Sequence, residues 1–271
     1  MNAPSIWITG GGTGIGKAMA LEYTQRGYRV AISGRRKDRL DEAKKEIEAL
    51  GGTCLSVVCD VVDVDSIQKA LEEIDREWGR IDIVVANAGF SMSARIETLT
   101  FEDWSRQLDV NVIGLAQTAR YALPYLEKTK GRVVLISSVM AYMRYEKSGA
   151  YSASKAAVTA IGETLSLELL GTSVTSTVIH PGYVESEIGQ VQTEGKFDPN
   201  AKDRRPSKVL WPADKAARVM ANAIEKRKRI YTFTGHGIFA QFMCRHFPDF
   251  TFWIVGSNLR KRSREINIHR S

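Results

Sequence analysis

The 271-residue chain is 44% hydrophobic and 25% charged, enough for one large buried core and unlike a disordered or collagen-like composition. Its 38 Lys and Arg against 31 Asp and Glu leave a formal charge of +7, which suits anionic ligands without choosing among them. Three cysteines, Cys54, Cys59 and Cys244, show no C-x-x-C spacing and argue against a disulfide framework or zinc site, so a reducing, cytoplasmic setting is expected.

The chain runs at once into "SIWITG", a strand with no charged leader before it, which speaks against a cleaved signal peptide. No uncharged apolar run reaches the roughly 18 residues of a membrane span. The turn after this strand, "TGGGTGIG", opens a helix. Gly10, Gly14 and Gly16, with Gly12, Thr13 and Ile15 between them, would bring backbone N–H groups and a helix N-terminus to a pyrophosphate. Tight strand–helix packing alone also asks for glycine. The second strand, "YRVAISG", ends with Gly34 where an acidic residue would hold ribose hydroxyls, and Arg35 and Arg36 follow. Cations oppose the dipole of the helix they begin, so the pair is read as a seat for a 2′-phosphate, hence NADP(H).

The third strand, "TCLSVVCDV", delivers Asp60 to accept from an adenine amino group and Val61 to lie beside the ring, although Asp60 also fits a helix cap. The fourth, "IDIVVANAG", closes on Asn87, Ala88 and Gly89, a small-residue turn that admits a cofactor. A helix from about 100 to 129 follows, opened by the capping pattern Thr100-x-x-Asp103, and then the strand "GRVVLISSV" ends at Ser138. In "SGAYSASKAAVTA" the helical spacing sets Tyr151 and Lys155 on one face. The sixth strand, "SVTSTVIHPGYV", leads into the polar stretch 185–210, which is long for a connection and is expected to be a lid. Strands and helices in strict turn imply a single α/β domain, a doubly wound parallel sheet with helices on both faces.

Taken together, TGGGTGIG, Asn87-Ala88-Gly89, Asn111, Ser138, YSASK at 151–155 and Pro181-Gly182 resemble the short-chain dehydrogenase/reductase family over about residues 5–234. The resemblance implies a catalytic tetrad of Asn111, Ser138, Tyr151 and Lys155. Tyr151 would be general acid in carbonyl reduction and base in alcohol oxidation, and Ser138 would steady the carbonyl oxygen. Lys155 would also hold the nicotinamide ribose, and Asn111 would join a water relay. Pro181, Gly182, Val184 and Ser186 would meet the carboxamide, and homo-dimers or tetramers would form through the helices starting near Thr100 and Tyr151. Singly, Asn111 and Ser138 are explained as well by a polar helix residue and a strand-end hydroxyl.

The electrostatics agree with these roles. A phenol with a pKa near 10 is about three units, or ~4 kcal/mol, too weak an acid for shuttling at neutral pH. A cation at about 4 Å offsets only ~1 kcal/mol in bulk water but ~4 at an effective dielectric near 20, so the pair needs a partly dry pocket.

Two features depart from the family pattern. Thr13 stands where some NADPH-using relatives carry a basic residue, and the bulky Met143-Arg144-Tyr145-Glu146 lines the expected mouth and argues against a very small substrate. Beyond about 234 lies a tail with Phe239, Phe242, Phe247, Phe250, Phe252 and Trp253, then the basic run "RKRSR" at 260–264. It reads equally as a packed lid or dimer contact, or as an amphipathic element on an anionic membrane, similar to the tails of 3-ketosphinganine reductases and membrane-associated hydroxysteroid dehydrogenases. "EKRKR" at 225–229 lacks the aromatic interleaving of a nucleic-acid module, and the four histidines lack metal-ligand spacing, so neither nucleic acid nor metal is expected. The expected function is reduction of a hydrophobic ketone, long-chain or polycyclic, by NADPH. Alternatives are reduction of smaller keto substrates such as 3-ketoacyl thioesters, sugar-nucleotide epimerisation, or a non-catalytic NADP(H)-sensing scaffold; the tetrad argues against the scaffold, and glycine spacing and length against the epimerase.

Overall fold

The structure, a computed structural model, describes the backbone of residues 3–190 and 209–268 and the side chains of 3–188 and 209–260. Most of the lid expected over 185–210, and nearly all of the basic run at 260–264, lie outside the described side chains.

Strands β1 (Ser5–Thr9), β2 (Arg29–Gly34), β3 (Cys54–Val58), β4 (Ile83–Ala86), β5 (Arg132–Ile136), β6 (Thr175–His180) and β7 (Ile230–Thr232) form one parallel sheet in the order β3-β2-β1-β4-β5-β6-β7. Side chains alternate along each strand, so in β1 Ile6 and Ile8 enter the core on one face and Trp7 the core on the other, all fully buried. Both faces therefore need cover. Helices α1 (Gly14–Gln25) and α2 (Lys37–Ala49) seal the first face, with Met19, Tyr23, Leu40 and Ile47 fully or almost fully buried. Helix α3 (Val64–Trp78) seals the second through Ile67, Leu71 and Ile74. Each such side chain contributes about 1.5–3 kcal/mol by leaving water.

The helix expected over 100–129 is three segments. Helix α4 (Phe101–Leu108) opens with the full capping box, Thr100 Oγ1 accepting from the Asp103 amide at 3.2 Å and Asp103 Oδ2 from the Thr100 amide at 3.1 Å. A π-helical turn, Asp109–Gly114, then leads into α5 (Leu115–Thr129). Helix α6 (Gly149–Glu168) carries Tyr151 and Lys155. Helix α7 (Ala213–Glu225) joins α1 on the first face, and α8 (Gly235–His246) and α9 (Pro248–Ile268) end the described chain. Strand β7 escapes a sequence reading because three residues cannot display a period of two. None of the described helices is long and apolar enough to cross a membrane.

Candidate active site

The strand order reverses between β1 and β4, which leaves a crevice at their carboxyl ends. Asn87 ties its two lips together. Its Nδ2 donates to the carbonyls of Thr9 at 2.8 Å and Gly10 at 3.3 Å, while Thr9 Oγ1 accepts from the amides of Asn87 at 3.0 Å and Ala88 at 3.1 Å. Gly10 has φ +65°, and a Cβ on Gly16 would lie 2.2 Å from the Gly10 carbonyl oxygen, so both must be glycine. At the floor, α1 begins at the extended Thr13 with no side-chain cap and no acidic residue in its first turn. By contrast, Asp63 caps α3 through a 3.0 Å bond from the Asp65 amide. With no cap from Thr13, the first N–H groups of α1 suit a diphosphate.

Arg35 and Arg36 are exposed at the end of β2. Arg36 Nη2 lies 3.4 Å from Thr13 Oγ1 and 2.8 Å from Glu187 Oε2. Arg39, which the sequence reading passed over, backs Gly12, where a Cβ would come within 3.2 Å of its carbonyl carbon. Asp60 lies past the end of β3, its Oδ1 accepting from the Val62 amide at 3.1 Å in a local turn, and the helix-capping role belongs to Asp63. Ile15, Val61 and Val184 turn their side chains into apolar packing: Val61 against Gly114, Val184 into the core, and Ile15 onto that same core. Ser186 lies over the glycine turn, its Cβ 3.0 Å from where a Gly14 Cβ would be.

Around Lys155 the second half of the site comes together. Its Nζ donates to the Ile136 carbonyl at 2.9 Å and stands 5.7 Å from the centroid of the half-buried Tyr151 ring. The side chain is almost wholly enclosed, and burial pushes its pKa down to about 8. A Cβ on Gly89 would lie 3.0 Å from Asn111 Oδ1 and 3.7 Å from Lys155 Nζ, so the turn after β4, the π-helical turn and α6 converge at one point. Asn111, fully buried, accepts from the Phe90 amide at 3.0 Å and donates to the Phe90 carbonyl at 2.9 Å and to Ser154 Oγ at 3.1 Å. Ser154 in turn donates to the Tyr151 carbonyl at 2.7 Å. Gln107 repeats this clamp, donating to the Phe90 carbonyl at 2.8 Å and accepting from the Met92 amide at 2.9 Å. Ser138 caps its turn by accepting from the Met140 amide at 3.2 Å, and its Oγ lies 3.5 Å from the Pro181 carbonyl. Pro181 and Ser138 thus share a wall.

A polar string behind Lys155 was not read from the sequence. Ser137 and Thr159 hydroxyls reach the Lys155 carbonyl at 2.8 and 2.9 Å. Thr159 then meets His180 Nε2 at 3.0 Å. Burial first, then Arg245 and Lys155, push the His180 pKa down to about 4, so it stays neutral beside the lysine. In the stretch expected to line the mouth, Arg144 folds back on its own loop, reaching the Ala141 and Met143 carbonyls at 3.0 Å. Tyr183 instead stacks on His236 of α8, centroids 5.9 Å apart. A Cβ on Gly182 would strike Thr234 and His236, so the start of the C-terminal extension closes the outer side of the Pro181-Gly182 turn.

A switch-point crevice floored by a helix N-terminus that Thr13 leaves uncapped, with a Tyr–Lys pair on a helix of the sheet's other face, defines a dinucleotide-binding α/β protein of the doubly wound class. Residues 4–196 match the family model described as short chain dehydrogenase, and the chain belongs to that family. It is 37% identical over 196 residues to 11-beta-hydroxysteroid dehydrogenase 1A of Arabidopsis thaliana, a match covering 71% of this chain and 54% of the relative, so the chain spans about half that protein's length. It is 32% identical over 214 residues to 3-oxoacyl-[acyl-carrier-protein] reductase FabG of Thermotoga maritima, covering 79% of this chain and 87% of that one. Among solved structures, the alcohol dehydrogenase of the archaeon Thermococcus sibiricus complexed with 5-hydroxy-NADP is similar at TM-score 0.75 and 25% identity, covering 86% of this chain and 95% of that one.

Proposed function

We propose that the chain is an NADP(H)-dependent oxidoreductase that reduces a hydrophobic ketone to a secondary alcohol, reversibly, with Tyr151 as proton donor. The observation that carries the reading is the enclosed Lys155 ammonium beside the Tyr151 ring, since a desolvated cation next to a phenol is what makes that phenol acidic near neutral pH. The residues present fit the nucleotide: Gly10 and Gly16 let the turn after β1 fold tightly against Asn87, α1 starts without a cap from Thr13 and so can offer donors to a diphosphate, and the exposed Arg35 and Arg36 at the end of β2 would meet a 2′-phosphate. When bound, the reduced nicotinamide supplies the hydride. Ser138 would hold the carbonyl oxygen, Tyr151 would deliver the proton to it, and Lys155 would keep the phenol's charge change affordable. Asn111 and Gln107 would keep the loop after β4 in register beneath them.

The similarity to a protein named as a hydroxysteroid dehydrogenase, and the aromatic mouth of Tyr145, Tyr183 and His236, support a ring-bearing or long-chain ketone such as a steroid or 3-ketosphinganine. The likeness to a 3-oxoacyl reductase supports a second reading, a 3-ketoacyl thioester. Residues 235–271 are proposed as an extension of the catalytic domain that rests on an anionic membrane surface, because eight large apolar side chains from Ile238 to Ile254 are exposed and the next segment is basic. A homodimer or homotetramer in the cytoplasm is part of the same proposal.

The test is NADPH oxidation by the purified protein against keto esters, ketoacyl thioesters, 3-keto sphingoid bases and steroids, with Tyr151→Phe alongside. Turnover on the apolar ketones and a loss of about 10²- to 10⁴-fold in the variant are expected. Turnover of short polar ketones alone would sink the substrate reading, and an unimpaired variant would sink the mechanism.

A further inference from the structure

One carboxylate stands where the nucleotide's selectivity is set. Glu187 Oε2 is 2.8 Å from Arg36 Nη2, the nitrogen that also faces Thr13 of the glycine turn. Its neighbour Ser186 packs over Gly14, so the chain entering the segment after β6 crosses the phosphate turn itself. Arg39, held chiefly by Glu42 at 2.9 Å, also feels the Glu187 charge.

We propose that Glu187 is a specificity-determining residue that occupies Arg36 in place of the coenzyme's 2′-phosphate, so that NADP(H), and not NAD(H), must displace it to bind. The inference rests on the reading of Arg36 as a 2′-phosphate ligand. A phosphomonoester carries close to two negative charges and three acceptor oxygens at neutral pH, against one charge and two oxygens for the carboxylate, so it wins the arginine. The pair is part exposed, with Arg36 at 44% and Glu187 at 26%, which keeps the internal competitor weak enough to leave. NAD(H) brings nothing to Arg36 and leaves the bridge intact. Part of the binding energy of the 2′-phosphate is thereby spent on freeing the chain at Glu187.

Steady-state KM values for NADPH and NADH are to be measured for the wild type, Glu187→Gln and Arg36→Ala at low and high salt. Removing the competitor lowers KM for NADPH about two- to fivefold, within the range of an exposed ion pair, and leaves KM for NADH nearly unchanged. The gap between wild type and Glu187→Gln closes at high salt, which screens the bridge. An unchanged KM for NADPH in Glu187→Gln, with Arg36→Ala still abolishing the preference, overturns the competitor and spares the NADP(H) reading. A raised KM means the carboxylate clamps the bound nucleotide, and overturns it equally. If Arg36→Ala keeps the wild-type preference, both fall together.

Discussion

The crevice at the β1–β4 switch and the C-terminal extension handle polar and apolar groups in opposite ways. At the crevice, buried polar side chains are tied to one another: Asn111, Gln107 and Ser154 have hydrogen bonds inside the protein and the Lys155 ammonium finds the Ile136 carbonyl, while behind the lysine His180 Nδ1 has no hydrogen-bond partner among the described residues. On the extension, Phe252 is 79% and Trp253 60% exposed, and Phe239 and Phe242 line the outer side of α8. A buried polar network fixes atoms to within tenths of an ångström because any slip leaves a donor without a partner. An exposed aromatic surface fixes nothing internally and has value only against something outside. On the proposed function, chemistry belongs to the first region and contact with the surroundings to the second, and substitutions in one should leave the other's readout untouched.

Lys155→Met should have the largest effect. Turnover is expected to fall by about 10²-fold or more, because the phenol loses its cation. Stability should move the other way or hardly at all. The folded-state pKa of Lys155 lies near 8, below its ordinary 10.5, so the native state binds fewer protons than the unfolded chain between those values and gains stability as pH rises through that window. Below about pH 8 the protein holds this charge at a cost of roughly 3 kcal/mol. Met removes that cost but leaves the Ile136 carbonyl without its donor, about 1–3 kcal/mol. Thermal melts at pH 7 should therefore show a variant at least nearly as stable as wild type and almost inactive. In the wild type, kcat/KM for reduction should decline above about pH 8 as the ammonium deprotonates. Full activity at pH 9.5 would break the electrostatic account.

Asn111→Leu comes next. The amide and carbonyl of Phe90 lose partners together, so urea titration should register a loss of about 2–4 kcal/mol. Gln107 still reaches the Phe90 carbonyl, which places the figure below that of two wholly orphaned groups. A loss under about 0.5 kcal/mol would mean that the loop after β4 is held by its packing and not by this clamp.

The parts of this architecture that were legible in the sequence are those set by backbone geometry or strict periodicity. The glycine turn, the six apolar strand runs and the Thr100–Asp103 cap could be read because each needs particular residues at fixed offsets. Asn111 was legible as a position and illegible as a contact: its partners, Phe90 and Ser154, lie 21 and 43 residues away and are joined to it only by the fold. The π-helical turn within 100–129 was invisible for a related reason: its residue Gly114 packs against Val61 in the loop after β3, a contact between residues 53 positions apart in the chain. His180 was read only as one of four histidines without metal-ligand spacing, and Glu187 was not singled out within the polar stretch 185–210. Their meaning comes from Thr159 and Arg36, which topology brings to them.

The smallest expected effect is also the one that separates the two regions most cleanly. Phe252 and Trp253 contribute little to the folded chain because they remain mostly in water, so Phe252→Ser with Trp253→Ser should leave the melting temperature within a degree or two. If the extension rests on lipid, the same pair loses apolar burial worth about 1–2 kcal/mol in the interface, and partitioning onto phosphatidylserine-containing vesicles should fall roughly tenfold. Neutral phosphatidylcholine vesicles should bind both proteins more weakly, since the basic segment after Ser257 then has no counter-charge. Turnover of a small soluble ketone should be unaltered, because Phe252 and Trp253 stand on the exposed side of the extension. Equal sedimentation of wild type and double variant with anionic vesicles would remove the membrane from the account. A variant that lost self-association instead, followed by light scattering, would give the aromatic face to a second copy of the chain. Either result would leave the buried network at Lys155 as it is, and that independence is what the contrast between the two regions requires.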